Sequence, residues 1–289
     1  MVRASIVVIG DEILEGFVRD SNAAWLAQRL DTLGIPLDRI VVVPDDTAAI
    51  VEALETELTR PRPRVLFTSG GIGTTPDDRT MAAVAALLDV ELVGEPSLLA
   101  MVDGIVDRLV SRGYEVDAQQ RSTLAKLALV PAGARALTGP EDGVPAVAVD
   151  LDGGLDAPGG AALVILPGVP GQFRSLISHV EAHLLDGRGR PRHVTELRHG
   201  YPESVLTPTL EALETAIPEV DIGSYPGAQC VLRVKGDPDA VARAVMELQR
   251  VIDELDADPD MQRLARSWQR SWRDEHGRAD EAAQRPAAG

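Results

Sequence analysis

The sequence predicts an α/β protein: a mostly parallel sheet with helices on both faces, a three-layer sandwich, followed by a small α+β domain. Three observations predict it. Short β-branched apolar runs alternate with amphipathic segments through the first 90 residues, as buried parallel strands and their covering helices do. The first three strand-like runs each end in a loop that carries glycine or proline beside acidic residues. After the polar stretch DGRGRP (186–191) the pattern changes to a shorter βαββα unit.

Ala4–Ile9 (ASIVVI) is an unbroken apolar run and reads as the first buried strand, ending in Gly10-Asp11-Glu12. Asp20-Ser21-Asn22 offers a cap for the helical segment Ala23–Leu33, which stops at Gly34. Arg39–Val43 is the second strand, closed by Pro44-Asp45-Asp46, and Thr47 is the expected cap of a helix reaching about Thr59. Arg64–Thr68 is the third strand and runs straight into SGGIGTTPDDRT (69–80), with a helix over Thr80–Leu88. Pro96–Arg112 and Ala118–Leu127 read as helices. Val144–Asp150 and Ala162–Leu166 read as strands joined by LDGGLDAPGG, and ILPGVPGQ (165–172) turns into a helix reaching about Leu185. Beyond 191 come a strand over His193–Arg198, a helix over Glu203–Ala216, strands over Val220–Tyr225 and Gln229–Lys235, and a helix over Pro238–Leu255. The predicted domains are therefore 1–187 and 192–256, with a charged tail over 257–289. In the tail, Met261–Trp272 reads as an amphipathic helix and residues from about Asp274 as disordered.

Composition narrows the function. Lysine and arginine number 28 against 45 aspartates and glutamates, a net charge of −17, which argues against nucleic-acid or anionic-membrane partners. Only Lys126 and Lys235 are lysines. An acidic, lysine-poor surface favours a salt-adapted protein, whose self-repulsion is tolerable when screened, over a simple GC-rich codon bias. No run approaches the roughly 18 apolar residues of a membrane span, and the first strand begins at Ala4, so a cytoplasmic protein is expected. The single cysteine, Cys230, lies in an apolar run and reads as a core residue.

Parallel sheets bind ligands outside the carboxyl ends of their strands, which puts Asp11, Asp45 and the 69–80 loop on one rim. In that loop Gly70, Gly71 and Gly73 leave backbone N–H groups unshielded for an anion, and Thr74 and Thr75 add hydroxyl donors. Asp77 and Asp78 would repel a phosphate unless a divalent cation stood between, so the loop implies a metal. The plainer alternative is a chain reversal with a helix cap. No GK[ST] P-loop or GxGxxG spacing is present, and no GxSxG elbow supports serine chemistry. His179 and His183, spaced i, i+4, read as a solvated helix face rather than a metal pair, and Trp25 as packing.

IGDEILEGFVRDSNAAWLAQRLDTLGI (9–35), VVVPDD (41–46) and the 69–80 loop together resemble the molybdopterin-binding domain family. That family holds the MoaB/Mog-like molybdopterin adenylyltransferases and the N-terminal domains of the competence/damage-inducible protein CinA and of FAD synthase. The GDEI start and the Thr-Pro-Asp-Asp ending are most similar to the CinA branch, since the adenylyltransferases usually carry arginine where Asp77 stands. LPGVPGQFRSL (166–176) is similar to a CinA turn, with Gln172 in place of the usual acidic residue. ESVLTPTLEAL and VDIGSYPG are similar to the segment that follows, so the resemblance covers residues 4 to about 255. The deamidase domain of long CinA proteins and the catalytic domain of FAD synthases have no counterpart here, and those activities are not expected.

The resemblance implies roles by position. Asp45 and Asp78 match aspartates treated as catalytic or metal-associated; Asp77 is a candidate metal ligand with Asp78 from the loop's own charge, not from the resemblance. Gly70, Gly71, Gly73, Thr74 and Thr75 match the phosphate loop, Gly10, Asp11 and Glu12 the first turn of the pocket, and Gly168 and Pro170 a turn closing its other side. Asn22 falls at a matched position, where helix capping is the alternative to ligand contact. The implied activity is metal-dependent (Mg, Mn or Co) cleavage of the pyrophosphate of a dinucleotide such as ADP-ribose or FAD. The alternatives are adenylylation of molybdopterin and a non-catalytic module binding a pterin or nucleotide. Relatives assemble as dimers or trimers, so a homo-oligomer is expected.

Overall fold

The computed structural model describes residues 1–137 and 144–283, and the chain divides into two compact units, Met1–Pro191 and Arg192–Gly289. In the first, β1 (Arg3–Ile9), α1 (Asp11–Leu14), α2 (Asn22–Leu33), β2 (Leu37–Val43), α3 (Thr47–Leu58), β3 (Arg64–Ser69) and α4 (Thr80–Leu88) follow in order. Then come β4 (Leu92–Gly94), α5 (Pro96–Ser111), α6 (Ala118–Ala125), β5 (Leu129–Pro131), β6 (Arg135–Ala136), β7 (Val147–Leu151), β8 (Ala161–Leu166) and α7 (Pro170–Val180). The main sheet has the order β2-β1-β3-β8-β7-β6. Its first four strands are parallel, while β7 runs antiparallel to both neighbours.

Continuous apolar strands are required because both sheet faces are covered. Along β1, Ile6 and Val8 enter one core with Leu26, Leu30, Phe67 and Phe173, while Val7 and Ile9 enter the other with Ile50, Leu54, Leu66 and Leu98. The period of two along the strand thus serves two helical layers. Trp25 packs edge-on against Phe173, ring centroids 6.4 Å apart, as expected of a packing residue.

Local capping differs from expectation at α3 and follows it at α2. Asp46, not Thr47, caps α3: its carboxylate accepts from the Ala48 and Ala49 N–H groups, because its extended backbone lets the side chain reach back while Thr47 is already helical. At α2 the Asp20 carboxylate takes the Asn22 and Ala23 N–H groups, which releases the Asn22 side chain for another task. The short β4–β5 ladder and β6 were not anticipated; strands of two or three residues carry too little periodicity to show in a sequence.

The amino-terminal ends of β1, β2 and β3 enclose a buried charge network. Ser5 Oγ donates to Glu57 Oε2 (2.6 Å) and accepts from Arg64 (2.5 Å), and the fully buried Arg64 also donates to Asp38 (2.6 Å). Arg3 donates to Asp38 as well, while Arg39 and Arg60 flank Glu57. Burial pushes the Asp38 carboxyl up, but hydrogen bonds from Arg3 and Arg64 outweigh it and hold the group below its ordinary value.

The second unit contains β9 (His193–His199), α8 (Glu203–Ala216), β10 (Val220–Tyr225), β11 (Cys230–Gly236), α9 (Pro238–Ala257) and α10 (Pro259–Ala283). Its antiparallel sheet has the order β10-β11-β9 and shares a core of Leu206, Leu232, Val234, Val241 and Leu248 with α8 and α9. Cys230 is buried there, its Sγ 3.3 Å from the Tyr201 carbonyl. The expectation of disorder from Asp274 is corrected: α10 continues to Ala283, and residues 284–289 lie outside the described ones. Past Asp274 the helix is supported by i, i+4 contacts: Trp272 is tilted against Trp268 and stacks on His276 at 4.0 Å, while Ser271 donates to Glu275. Among the described residues no helix is long and apolar enough to cross a membrane.

Asp38→Asn keeps the shape but leaves the buried Arg64 guanidinium without a full counter-charge, and should cost about 3 kcal/mol at neutral pH, read as a lower urea midpoint at unchanged slope. A depressed carboxyl pKa contributes stability that is complete above its ordinary value of 3.8 and is lost as pH falls through the lowered one. The gap between wild type and variant should therefore close in acid. Equal midpoints at pH 7 contradict this account.

Candidate functional site

The carboxyl ends of β1, β2, β3 and β8 meet at one cleft of about 400 Å³. Backbone bonds tie them together: Gly10 N–H donates to the Val43 carbonyl, and Gly70 N–H to that of Leu166. The Asp11 N–H donates to Asp45 Oδ2 at 2.9 Å, linking the first turn to the second. Asn22 is neither a cap nor a wall of the cleft. Its buried amide donates to Ser69 Oγ (2.9 Å) and to the Gly168 carbonyl (2.7 Å), clamping the end of β3 to the turn after β8.

The glycine loop is closed by its own aspartate. Asp78 Oδ1 accepts from the Gly73 N–H at 2.6 Å; Oδ2 accepts from the Thr75 N–H at 2.8 Å and from its hydroxyl at 2.5 Å. A Cβ on residue 73 would lie 2.6 Å from Asp78 Oδ2, so glycine is required for the carboxylate to close the loop. Gly70 has φ 109°, and a Cβ there would stand 2.2 Å from the Ile9 carbonyl oxygen, which no side chain permits. Thr80 fixes the loop from below, its hydroxyl donating to the Gly70 carbonyl at 2.8 Å.

Of the residues singled out from the sequence, Gly10, Glu12, Asp45, Gly70, Gly71, Gly73, Asp77, Asp78 and Gly168 line the cleft. Asp11 contributes its backbone, Pro170 begins α7, and Thr75 faces a neighbouring cavity. Thr74 is half-buried in the loop and lines neither space. The picture of a wholly bare loop changes, because the N–H groups of Gly70, Gly73 and Thr75 already have partners. Gln172, Ile72 and Leu127 also line the cleft. Gln172 carried a signal, as an amide where a carboxylate was the pattern; Leu127 carried none.

Electrostatically the cleft is one-sided. Glu12, Asp45, Asp77 and Asp78 line it, and none of its described lining residues is a cation. Burial, followed by repulsion from Asp11, Glu12 and Asp77, raises the Asp45 carboxyl above its ordinary range, although the Asp11 N–H opposes this. The residues present do not form a resident metal cage. Among the described residues no three His, Cys, Asp or Glu side chains gather to hold an ion, and both Asp78 oxygens are engaged in the loop. His183 instead bonds the His179 carbonyl at 2.8 Å.

A three-layer sheet whose acidic strand ends frame a glycine loop defines a class, and the chain belongs to it: the family model for probable molybdopterin binding domains matches residues 5–186. A protein of Pyrobaculum calidifontis is 34% identical over 229 residues, 78% of this chain and 81% of its own. A CinA-like protein of Mycobacterium marinum is 34% identical over 250 residues, covering 83% of this chain but 56% of its own, so this chain spans only about half of that relative. Among solved structures, CinA of unknown function from Thermoplasma acidophilum superposes with a TM-score of 0.50 at 28% identity, over 62% of this chain and 96% of that one. The chain is thus a CinA-like molybdopterin-binding-domain protein.

Because Gly73 and Asp78 act as one device, Gly73→Ala and Asp78→Ala should each speed amide hydrogen exchange at Thr75 about tenfold, the equivalent of one charge-assisted hydrogen bond. Adding Gly73→Ala to Asp78→Ala should change exchange little, since the added methyl then meets no carboxylate. Strictly additive effects in the double variant contradict the latch.

Proposed function

We propose that the cleft binds a diphosphate-linked ligand of nucleotide or pterin type and hydrolyses its phosphoanhydride. The observation that carries the reading is the meeting of Glu12, Asp45 and Asp77 over the glycine loop, with the Asp45 carboxyl raised. Such a cluster repels a bare diphosphate, so the ligand arrives as its chelate with Mg²⁺, Mn²⁺ or Co²⁺, the cation being part of the substrate. The free oxygen of Asp45 takes a proton from water; the water oxygen bonds to phosphorus, and the bridging P–O bond breaks with its electron pair on the departing phosphate. The Asp11 N–H, held on the other Asp45 oxygen, fixes the carboxylate's direction.

A second reading, ligand binding without turnover, draws on the engaged state of Asp78 and the lack of a cage among the described residues. Adenylyl transfer to molybdopterin has no observation in its favour beyond kinship. Assembly into a homo-oligomer is likewise a proposal from kinship.

Incubation of the full chain with ADP-ribose or FAD and each of the three cations should release AMP. Asp45→Asn should lower kcat about 100-fold or more with little change in ligand affinity. The base must be ionised to act, so the rate should rise with pH through a value above the ordinary 3.8. Unchanged affinity together with wild-type turnover no higher than that of Asp45→Asn identifies the binding-only reading. Failure to bind any of these ligands contradicts both.

A further inference from the structure

A second cavity, of about 280 Å³, borders the same loop. It shares Gly71, Ile72, Gly73, Asp78 and Leu127 with the acidic cleft, so the loop and Leu127 form a saddle between the two spaces. Their chemistry differs sharply. The second cavity is walled by Met81, Leu92 and Leu129; its one described carboxylate is the latched Asp78, and its one described cation is Lys126.

Lys126 is unusual in this molecule. It is one of two lysines in a chain with a net charge of −17, and it is exposed in the turn that follows α6. Its backbone is hydrogen-bonded in that turn, but its ammonium makes no hydrogen bond or ion pair among the described residues, whereas the side chains of Arg3, Arg29, Arg62 and Arg64 each pair with a carboxylate. An ammonium on a flexible stem is a point charge suited to phosphate, and beside apolar walls its attraction is less screened than in open water.

We infer that Lys126 anchors the phosphate charge of a two-part ligand that straddles the glycine loop. This rests on the reading of the cleft as a diphosphate site and orients the ligand within it. A hydrogen-bond-donating heterocycle lies in the acidic cleft, the diphosphate crosses Gly71–Gly73, and the second moiety rests on Met81, Leu92 and Leu129 with its phosphate beside Lys126. Both spaces border the loop, so a two-part diphosphate ligand reaches from the acidic cleft to Lys126.

The scarcity of lysine makes the test direct. Reductive ¹³C-dimethylation of the full chain keeps the lysine charge and labels Lys126, Lys235 and the α-amine alone, with K126R assigning the signal. Titration with ADP-ribose and Mg²⁺ should move the Lys126 resonance and leave that of Lys235 in place. On unlabelled protein, K126A should weaken ADP-ribose binding about tenfold, K126R should restore most of it, and adenosine should bind all forms alike, at unchanged thermal midpoints. ADP-ribose that binds wild type and K126A equally, or that leaves the Lys126 signal still, overturns the anchor while sparing the diphosphate reading. A moving signal and a tenfold loss without AMP release support the anchor and remove hydrolysis. No binding of ADP-ribose to wild type overturns both.

Discussion

The arrangement of the site depends on a single carboxylate turned inward. Asp78 takes the Gly73 and Thr75 N–H groups and the Thr75 hydroxyl, converting a flexible glycine run into a closed bend of fixed shape. A carboxylate and a phosphate oxygen ask for the same donors. Asp78 therefore occupies the donors that an anion inside the bend would need, and under the proposed reading a ligand's phosphate lies across the loop rather than inside it. That constraint explains why the loop can serve as a saddle with a cavity on each side.

The two ends of the parallel strands treat charge in opposite ways. At the amino-terminal end Asp38 and Glu57 face Arg3, Arg39, Arg60 and Arg64, and the group is closed by Ser5. At the carboxyl end, roughly 20 Å away along six or seven residues of strand, Glu12, Asp45 and Asp77 gather without a cation among the cleft's described lining residues. Among the paired charges at the first end Glu57 and Arg64 are buried within the fold, whereas at the second Glu12 and Asp77 stay exposed to water and Asp45 is half-buried. Burial first, and then repulsion from Asp11, Glu12 and Asp77, raises the Asp45 carboxyl there.

Much of the fold was legible because the evidence for it is local. β-branched runs such as ASIVVI could only be strands buried on both faces, and Gly34 ends its helix in the left-handed conformation, φ 69°. The rule for parallel sheets puts Asp11, Asp45 and the 69–80 loop on one rim; Asp45 and the loop line the cleft, and Asp11 meets them through its backbone N–H. What was not legible depended on contacts across the chain. Asn22 read as either a ligand contact or a cap, yet Asp20 takes the helix N–H groups and the Asn22 side chain spans 146 residues to Gly168. The same residue types that suggest a phosphate and metal site, glycine, threonine and aspartate, also satisfy one another, and only coordinates show that Asp78 has chosen its neighbours. Lys126 was visible as a rarity but not as a wall of anything, since its place opposite the loop is set by the packing of α5 and α6.

The most direct measurement is a crystal structure of the full chain with Mg²⁺ and a non-hydrolysable dinucleotide diphosphate. The account predicts the diphosphate lying over Gly71–Gly73, the free Asp45 oxygen within hydrogen-bond reach of a water beside phosphorus, and Asp78 still bound to Gly73 and Thr75. An Asp78 side chain swung out to ligate the cation, or a ligand seated away from the loop, would contradict it.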